Sequence, residues 1–272
     1  MNIYSISVVK NEGDVIELSL KEALKWSTKI FVLDNGSDDN TWEIVQKLSQ
    51  QEPRIIAWKQ WAVPFYEGLR AEVFNEFKSI AKEGDWWCFR LDADEFYVDD
   101  PRDFLKTISN KHHYVCKDSI EYYLTPEDIE EIDFEEDFSM RIKHIRYYDK
   151  KTYREARFFK HRKRLTWNPQ DPFPKHMGIV SDKLILSQHF QYRSPAQIQK
   201  RLDVRNEARK NGFEGWDHAS QKHYTEKLRK RSELVYDTQD GHFKTTGYMN
   251  EIKHTFPKLI IKHLLHGLKI LP

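Results

Sequence analysis

Three times in the first hundred residues a short apolar run ends abruptly in acid. Ile3–Val9 runs into Lys10-Asn11-Glu12, Ile30–Leu33 into Asp34-Asn35-Gly36-Ser37-Asp38-Asp39, and Trp86–Leu91 into Asp92-Ala93-Asp94-Glu95. Each run has strand length and strand composition. Between them lie segments of helical spacing. Asp14–Trp26 carries Val15, Leu18, Ala23 and Trp26, Ser37 caps a helix bearing Trp42, Val45 and Leu48, and Leu69–Ala81 aligns Leu69, Val73, Phe74, Phe77, Ile80 and Ala81. Arg54–Trp58 adds a fourth strand, and Trp86–Leu91, apolar on both faces apart from Arg90, reads as central. Strands alternating with helices in this way dictate an α/β fold, a mostly parallel sheet with helices on both sides.

The remainder is less regular. Tyr114–Tyr123 and Arg141–Tyr148 read as strands of a second, mixed sheet, and Glu127–Asp137 as an acidic surface loop or helix. Pro169, Pro172 and Pro174 mark a non-helical segment. Ser194–Gly212 and His218–Tyr236 read as charged helices, and Lys258–Leu271 as a short basic one. There is no internal repeat and no linker that separates two domains. The expected organisation is an α/β half over 1–110, a second half of the same domain over 111–250 and a basic amphipathic helix over 251–272.

At 272 residues the chain can bury a sizeable core, and its 8 Trp, 13 Tyr and 16 Phe exclude disorder. No apolar run is long enough to span a bilayer, and the N-terminus carries acid too soon for a signal peptide. Two cysteines, Cys88 and Cys116, cannot build a disulfide framework, so the expected compartment is reducing and cytoplasmic. Cys88 reads as a small core residue. The net charge of +1 hides a split: residues 1–140 carry 15 Lys and Arg against 30 Asp and Glu, residues 141–272 carry 29 against 13. The acidic half is a solvated face or a cation host. The basic half meets phosphates, nucleic acid or an anionic membrane, or simply neutralises the other half.

In open α/β sheets ligands bind beyond the carboxyl ends of the strands, where the acids stand here. Asp92 and Asp94, two residues apart, share one side of an extended chain. Hard divalent cations take such oxygen ligands and complete their shells with water or phosphate. At these residues the sequence resembles the family 2 glycosyltransferases and their relatives of the GT-A fold. IYSISVVKNEGD (3–14), VLDNGSDDNT (32–41) and WWCFRLDADEF (86–96) carry the resemblance, which is most like a bacterial subgroup with K-N-E and L-D-A-D-E-F motifs. It covers roughly residues 1–100, and beyond them only SQHFQYRSPAQ (187–197).

The resemblance implies a GT-A-like (Rossmann-like) sheet plus a mixed acceptor-binding lobe, and assigns roles by position. Val9, Asn11 and Glu12 lie where the nucleotide base would, and Asp34, with Asn35 beside it, at the base or ribose. Asp92 lies near ribose and sugar, and Asp94 binds Mn²⁺ or Mg²⁺ directly. His189 is a candidate late metal ligand and Arg70 a candidate donor contact. Each has a plainer reading: a turn and helix cap for Asp34, Asn35 and Asp39, a core histidine for His189, a solvated helix residue for Arg70. The family's usual base signature is missing. Asp171, in WNPQDPFPKHMG, is the chosen catalytic base, ahead of Glu155 and Asp149, and a retaining route remains open. The resemblance further implies a nucleotide-diphosphate sugar donor, UDP-sugar favoured, a glycan or lipid-linked acceptor, and bacterial surface polysaccharide synthesis.

Two alternatives stay in view: a nucleotidyltransferase, which would need more glycine near the first strand than Gly13, and a nucleic-acid-binding protein using the basic half. Lys160, His161, Arg162, Lys163 and Arg164 are a candidate phosphate contact or a solvated charge run. The tail PKLIIKHLLHGLKIL (257–271) presents an apolar stripe with positive flanks, suited to a peripheral membrane contact or to docking on its own protein.

Overall fold

The computed structural model describes residues 1–210, 221–250, 252, 255–268 and 270–271. The chain forms two compact units: Met1–Asp118, Tyr153–Ser187 and Asn250–Pro272 make the first, Ser119–Thr152 and Gln188–Met249 the second. This division does not coincide with a boundary at 110.

In chain order the elements are β1 (Ile3–Val9), α1 (Ile16–Ala23), β2 (Lys29–Asp34), α2 (Thr41–Gln51), β3 (Ile55–Gln60), α3 (Leu69–Phe77), β4 (Trp86–Cys88), β5 (Glu95–Tyr97) and α4 (Pro101–Lys106). Then come β6 (Tyr114–Tyr123), α5 (Pro126–Glu131), α6 (Phe138–Arg141), β7 (Tyr147–Tyr148), β8 (Lys151–Lys160) and β9 (Val180–His189). The last are α7 (Pro195–Lys210), β10 (Val235–Tyr236), β11 (Gly247–Tyr248) and α8 (Phe256–Gly267).

In the first unit the strand order is β8-β4-β1-β2-β3. β1 runs parallel to β2 and β4, β2 parallel to β3, and β8 antiparallel to β4. The sheet is therefore mixed but mostly parallel, with helices flanking it, as the alternation predicts. The two-residue period of β1 and β2 puts Tyr4, Ile6, Phe31 and Leu33 on one face, where Ala71, Val73 and Phe74 of α3 pack on them. Trp87, Phe89, Phe159 and Trp167 complete this aromatic core; each such fully buried ring contributes roughly 2–3 kcal/mol. Cys88 and Cys116 are buried free thiols, and burial pushes the Cys88 thiol up to about 12.

In the second unit β7 pairs antiparallel with β10 and with Tyr122–Tyr123 of β6. Its core is aromatic: Tyr122 stacks on Phe190 with centroids 4.3 Å apart, donates its hydroxyl to Asp237 at 2.5 Å, and accepts from Gln188 at 2.6 Å.

Several expected elements differ. Ser37 does not cap α2; the helix starts four residues later, and Ser37 instead donates to the Asp34 carboxylate. β4 ends at Cys88, although Leu91 still donates to the Ile6 carbonyl, so the chain continues beside β1. Of Arg141–Tyr148 only Tyr147–Tyr148 is a strand, β7. Asp137 opens a helical turn, and Arg141 is buried with its guanidinium on the carbonyls of Glu136 and Arg193. The acidic 127–137 segment contains α5, capped by Thr125 and Asp128 in a reciprocal box. Residues 211–212 and 218–220 of the two expected charged helices lie outside the described residues. α7 matches the first of those helices, whereas 221–236 forms short 3-10 turns and β10.

Candidate active site at the strand ends

The loops after β1 and β2 are laced together by backbone and side-chain bonds. Asn35 donates its amide to the Val9 carbonyl at 2.8 Å. Asn11, at φ 58°, receives Ser37 Oγ as acceptor of its own amide and accepts the Asp38 amide on its side chain at 2.9 Å. The Glu12 amide donates to Thr41 at the start of α2. Asp34 is fully buried and accepts four hydrogen bonds: from the amides of Gly36 and Ser37, from Ser37 Oγ and from Gln60. Three of these fall on Oδ1 and one on Oδ2, so Asp34 anchors its own turn. Asn35 donates to the carbonyls of Trp61 and Val63, both at 2.9 Å. Gly36 adopts φ +77°, and a Cβ there would come 2.7 Å from that of Ala62. The strand-end loops thus form one preformed floor, as rigid as its bonds.

Asp92 emerges where the chain leaves β1's side. Ser7 Oγ donates to the Leu91 carbonyl at 2.8 Å and fixes that exit. Both Asp92 oxygens are engaged, Oδ2 by Arg157 at 2.8 Å and Oδ1 by Arg70 at 3.3 Å. Burial alone would raise the Asp92 carboxyl, but Arg157 and Arg70 outweigh it and hold it well below the usual carboxylate range. Arg157 has no exposed surface; its fork also reaches Glu95 at 3.0 Å and Glu155 at 2.7 Å. Glu155 and Arg157 are two apart on β8 and so share a face. Arg90 bridges Glu155 and Glu67, Glu67 also holds Arg70 at 2.7 Å, and Lys117 pairs with Glu95. Arginines and carboxylates alternate, so every buried charge has an opposite partner, the condition under which such a lattice is tolerated.

Asp94 lies one turn residue beyond, 5% exposed, immediately before β5. Its donor atoms are oxygens, as a hard cation needs. Among the described residues no three His, Cys, Asp or Glu group around a metal position. Among these residues a cation would find carboxylate oxygen but no closed protein cage.

Arg70 is not a solvated helix residue; it is buried and bonded to Asp92. Asp171 sits in an exposed turn, its amide on the Asn168 carbonyl and its own carbonyl accepting Trp167 Nε1 at 3.0 Å. That loop is pressed onto α3: a Cβ on Gly68 would meet the Pro169 carbonyl oxygen at 1.7 Å, and Asn75 donates to the Trp167 carbonyl. Phe173 lies under the Arg90 guanidinium, 5.4 Å from it. The loop is so tied to the helix that carries Arg70 and to Arg90, which bonds Glu67 and Glu155. Glu155 is less suited to be a base. Burial raises it, but Arg157, Arg90 and Lys117 outweigh burial and keep it ionised. Asp149, in the second unit, pairs with Arg229 at 2.6 Å.

His189 belongs to the second unit, where its Nδ1 lies 2.7 Å from Glu121. Of the basic run, His161 and Arg162 are buried, and Arg162 holds the carbonyls of His176 and Met177, so it is a structural clip; Lys163 and Arg164 are exposed. The sequence reading missed Arg157, Arg90, Lys117 and Glu67. The signal available was a pair of opposite charges, Glu155 and Arg157, two apart and followed by Phe158 and Phe159.

A family model described as Glycosyl transferase family 2 matches residues 5–173. No curated protein sequence matches the chain. Among solved structures, it is similar to the mannosyltransferase PcManGT from Pyrobaculum calidifontis, described in complex with GDP-Man and Mn²⁺. The identity is 17% and the TM-score 0.34, over 58% of this chain and 44% of that one. This chain thus spans less than half of that protein's length. The family match covers well over half of the sequence and includes all three acidic strand ends, and the chain therefore belongs to glycosyl transferase family 2.

Proposed function

We propose that this family 2 glycosyltransferase moves a sugar from a nucleoside-diphosphate sugar, UDP-sugar first among the candidates, to a hydroxyl of a glycan or lipid-linked acceptor. The observation that carries the proposal is Asp92, fixed by Arg157 and Arg70 at the end of the strand region beside the laced β1 and β2 loops. In this reading Val9, Asn11, Glu12, Asp34 and Asn35 form the floor for the nucleotide. Arg70 and Asp92 face ribose and sugar, and Asp94 holds Mn²⁺ or Mg²⁺. His189 stays a further ligand candidate, its Nδ1 2.7 Å from Glu121. When bound, the cation neutralises charge developing on the diphosphate.

The acceptor oxygen bonds to the anomeric carbon as that carbon's bond to the diphosphate breaks. The diphosphate leaves with the electron pair, and Asp171 takes the acceptor proton. Asp92, whose proton is held off by two guanidinium groups, stays anionic throughout. A role in bacterial surface polysaccharide synthesis, at the cytoplasmic side of the membrane, agrees with the K-N-E and L-D-A-D-E-F motifs.

The test is transfer and donor binding measured side by side. Asp171→Asn is expected to bind the nucleotide as wild type does and to lose transfer by about a hundredfold or more. A variant that transfers normally removes Asp171 from the reaction.

A further inference from the structure

Helix α8 is docked by one side. Leu259 lines a cavity of about 420 Å³ with Val180, Leu184 and Ile252. Lys262 donates to the Gly178 carbonyl, and the His266 ring lies 4.2 Å from that of His113. Just past the helix, the Leu271 carbonyl accepts Arg164 Nη2 at 2.9 Å. Positions 259, 262 and 266 are three and four residues apart, one helical face. The other face carries Ile260, Ile261, Leu264 and Leu268, continued by Ile270, all between 45% and 68% exposed. Water does not favour so contiguous an aliphatic stripe, and such patches mark a surface meant to be covered.

The charges around the stripe say by what. From Ile252 to Pro272 the sequence holds Lys253, Lys258, Lys262 and Lys269 and no Asp or Glu. Lys258 is exposed, and Lys163 and Arg164, also exposed, stand near the helix's C-terminal end. Positive charge is dense enough to be felt: burial, then Lys258 and Arg162, bring Lys262 down to about 8. The nearby acids are otherwise placed, Asp182 in the cavity wall and Glu83 on the Lys163 amide. A second copy of the chain is a poor cover. A two-fold pair sets the same patch against itself and would oppose lysine to lysine with no acid of α8 to answer. No helix among the described residues is long and apolar enough to cross a membrane.

We infer that the outward face of α8 docks on an anionic lipid bilayer. Ile260, Ile261, Leu264 and Leu268 enter the acyl boundary, and Lys258 with its basic neighbours lies among the headgroups. The inference is independent of the donor chemistry, since its readout involves no nucleotide.

The experiment is co-sedimentation of the full chain with vesicles of phosphatidylcholine alone and of phosphatidylcholine mixed with phosphatidylglycerol. Wild type is expected to partition onto the mixed vesicles, less onto the neutral ones, and less again at raised salt. The combined variant Ile261→Ser, Leu264→Ser, Leu268→Ser is expected to lose about tenfold or more in partitioning, with an unchanged thermal melt because the three side chains point outward. Lys258→Glu is expected to reduce the preference for phosphatidylglycerol, and it carries the test should the triple variant fold poorly. Failure of wild type to sediment, or partitioning unaltered by these substitutions, would overturn the inference. So would a wild-type dimer that the triple variant turns into a monomer, which assigns the face to a second copy.

Discussion

Arg157 is the residue on which the site turns. It is buried and contacts Asp92, Glu95 and Glu155 at once. Replacing it with Met leaves three carboxylates without their common cation, and Arg157→Met is expected to cost about 3–5 kcal/mol in urea unfolding. A loss below about 1 kcal/mol would show that the carboxylates do not depend on it. His113 gives the molecule an acid limit. Its Nδ1 accepts the Ile179 amide at 3.1 Å, so protonation there breaks a bond. Burial, then Arg162, His266 and Lys160, push it down to about 3. An unfolded histidine titrates near ~6.5. Between these values the unfolded chain binds the proton and the folded one does not, so stability falls as pH falls from about 6.5 towards 3. His113→Asn, which keeps an acceptor, is expected to lose less stability than wild type between about pH 7 and about pH 5 in urea midpoints; equal losses would put the acid sensitivity elsewhere. At this scale the sequence showed acids at three strand ends but not the arginines that hold Asp92. A charge inside a strand looks the same on paper whether solvated or locked to a residue far along the chain, as Arg157 is to Asp92.

At the scale of elements, the loop over α3 is the testable piece. Gly68 leaves no room for a side chain beneath Pro169. Gly68→Ala must lift the loop that carries Asp171, at a cost of about 1–3 kcal/mol. It is expected to reduce transfer more than nucleotide binding, measured on the same preparation. A parallel fall in both would mean the loop serves the donor rather than the acceptor. β1, β2, β3 and the three helices between and after them were legible because an apolar period of two or of 3.6 is a local property. β8 and β9 were not. In β8 Glu155, Arg157 and Lys160 interrupt the apolar pattern, and each meets its partner on another element. The Arg141–Tyr148 segment failed the other way: a strand was expected throughout, but Asp137 and the buried Arg141 hold its start as a helical turn, and only Tyr147–Tyr148 pairs as a strand.

At the scale of the whole molecule, the acidic N-terminal and basic C-terminal halves of the sequence are not the two structural units. The segments Tyr153–Ser187 and Asn250–Pro272 join the acidic N-terminal part in one unit, and bring it Arg157 and the basic α8. Family and fold class were readable because three motifs fall in the first hundred residues; the acceptor side was not, since nothing local marks it. The central claim is that Asp94 and its surroundings bind a nucleoside diphosphate through a divalent cation. The direct measurement is calorimetric titration of UDP, GDP, CDP and dTDP, with and without Mn²⁺, into wild type and Asp94→Ala. Metal-dependent binding of one nucleotide, weakened by about a hundredfold or more in the variant, is the predicted result. Binding that ignores the metal and the substitution alike, or no binding of any nucleotide, contradicts it.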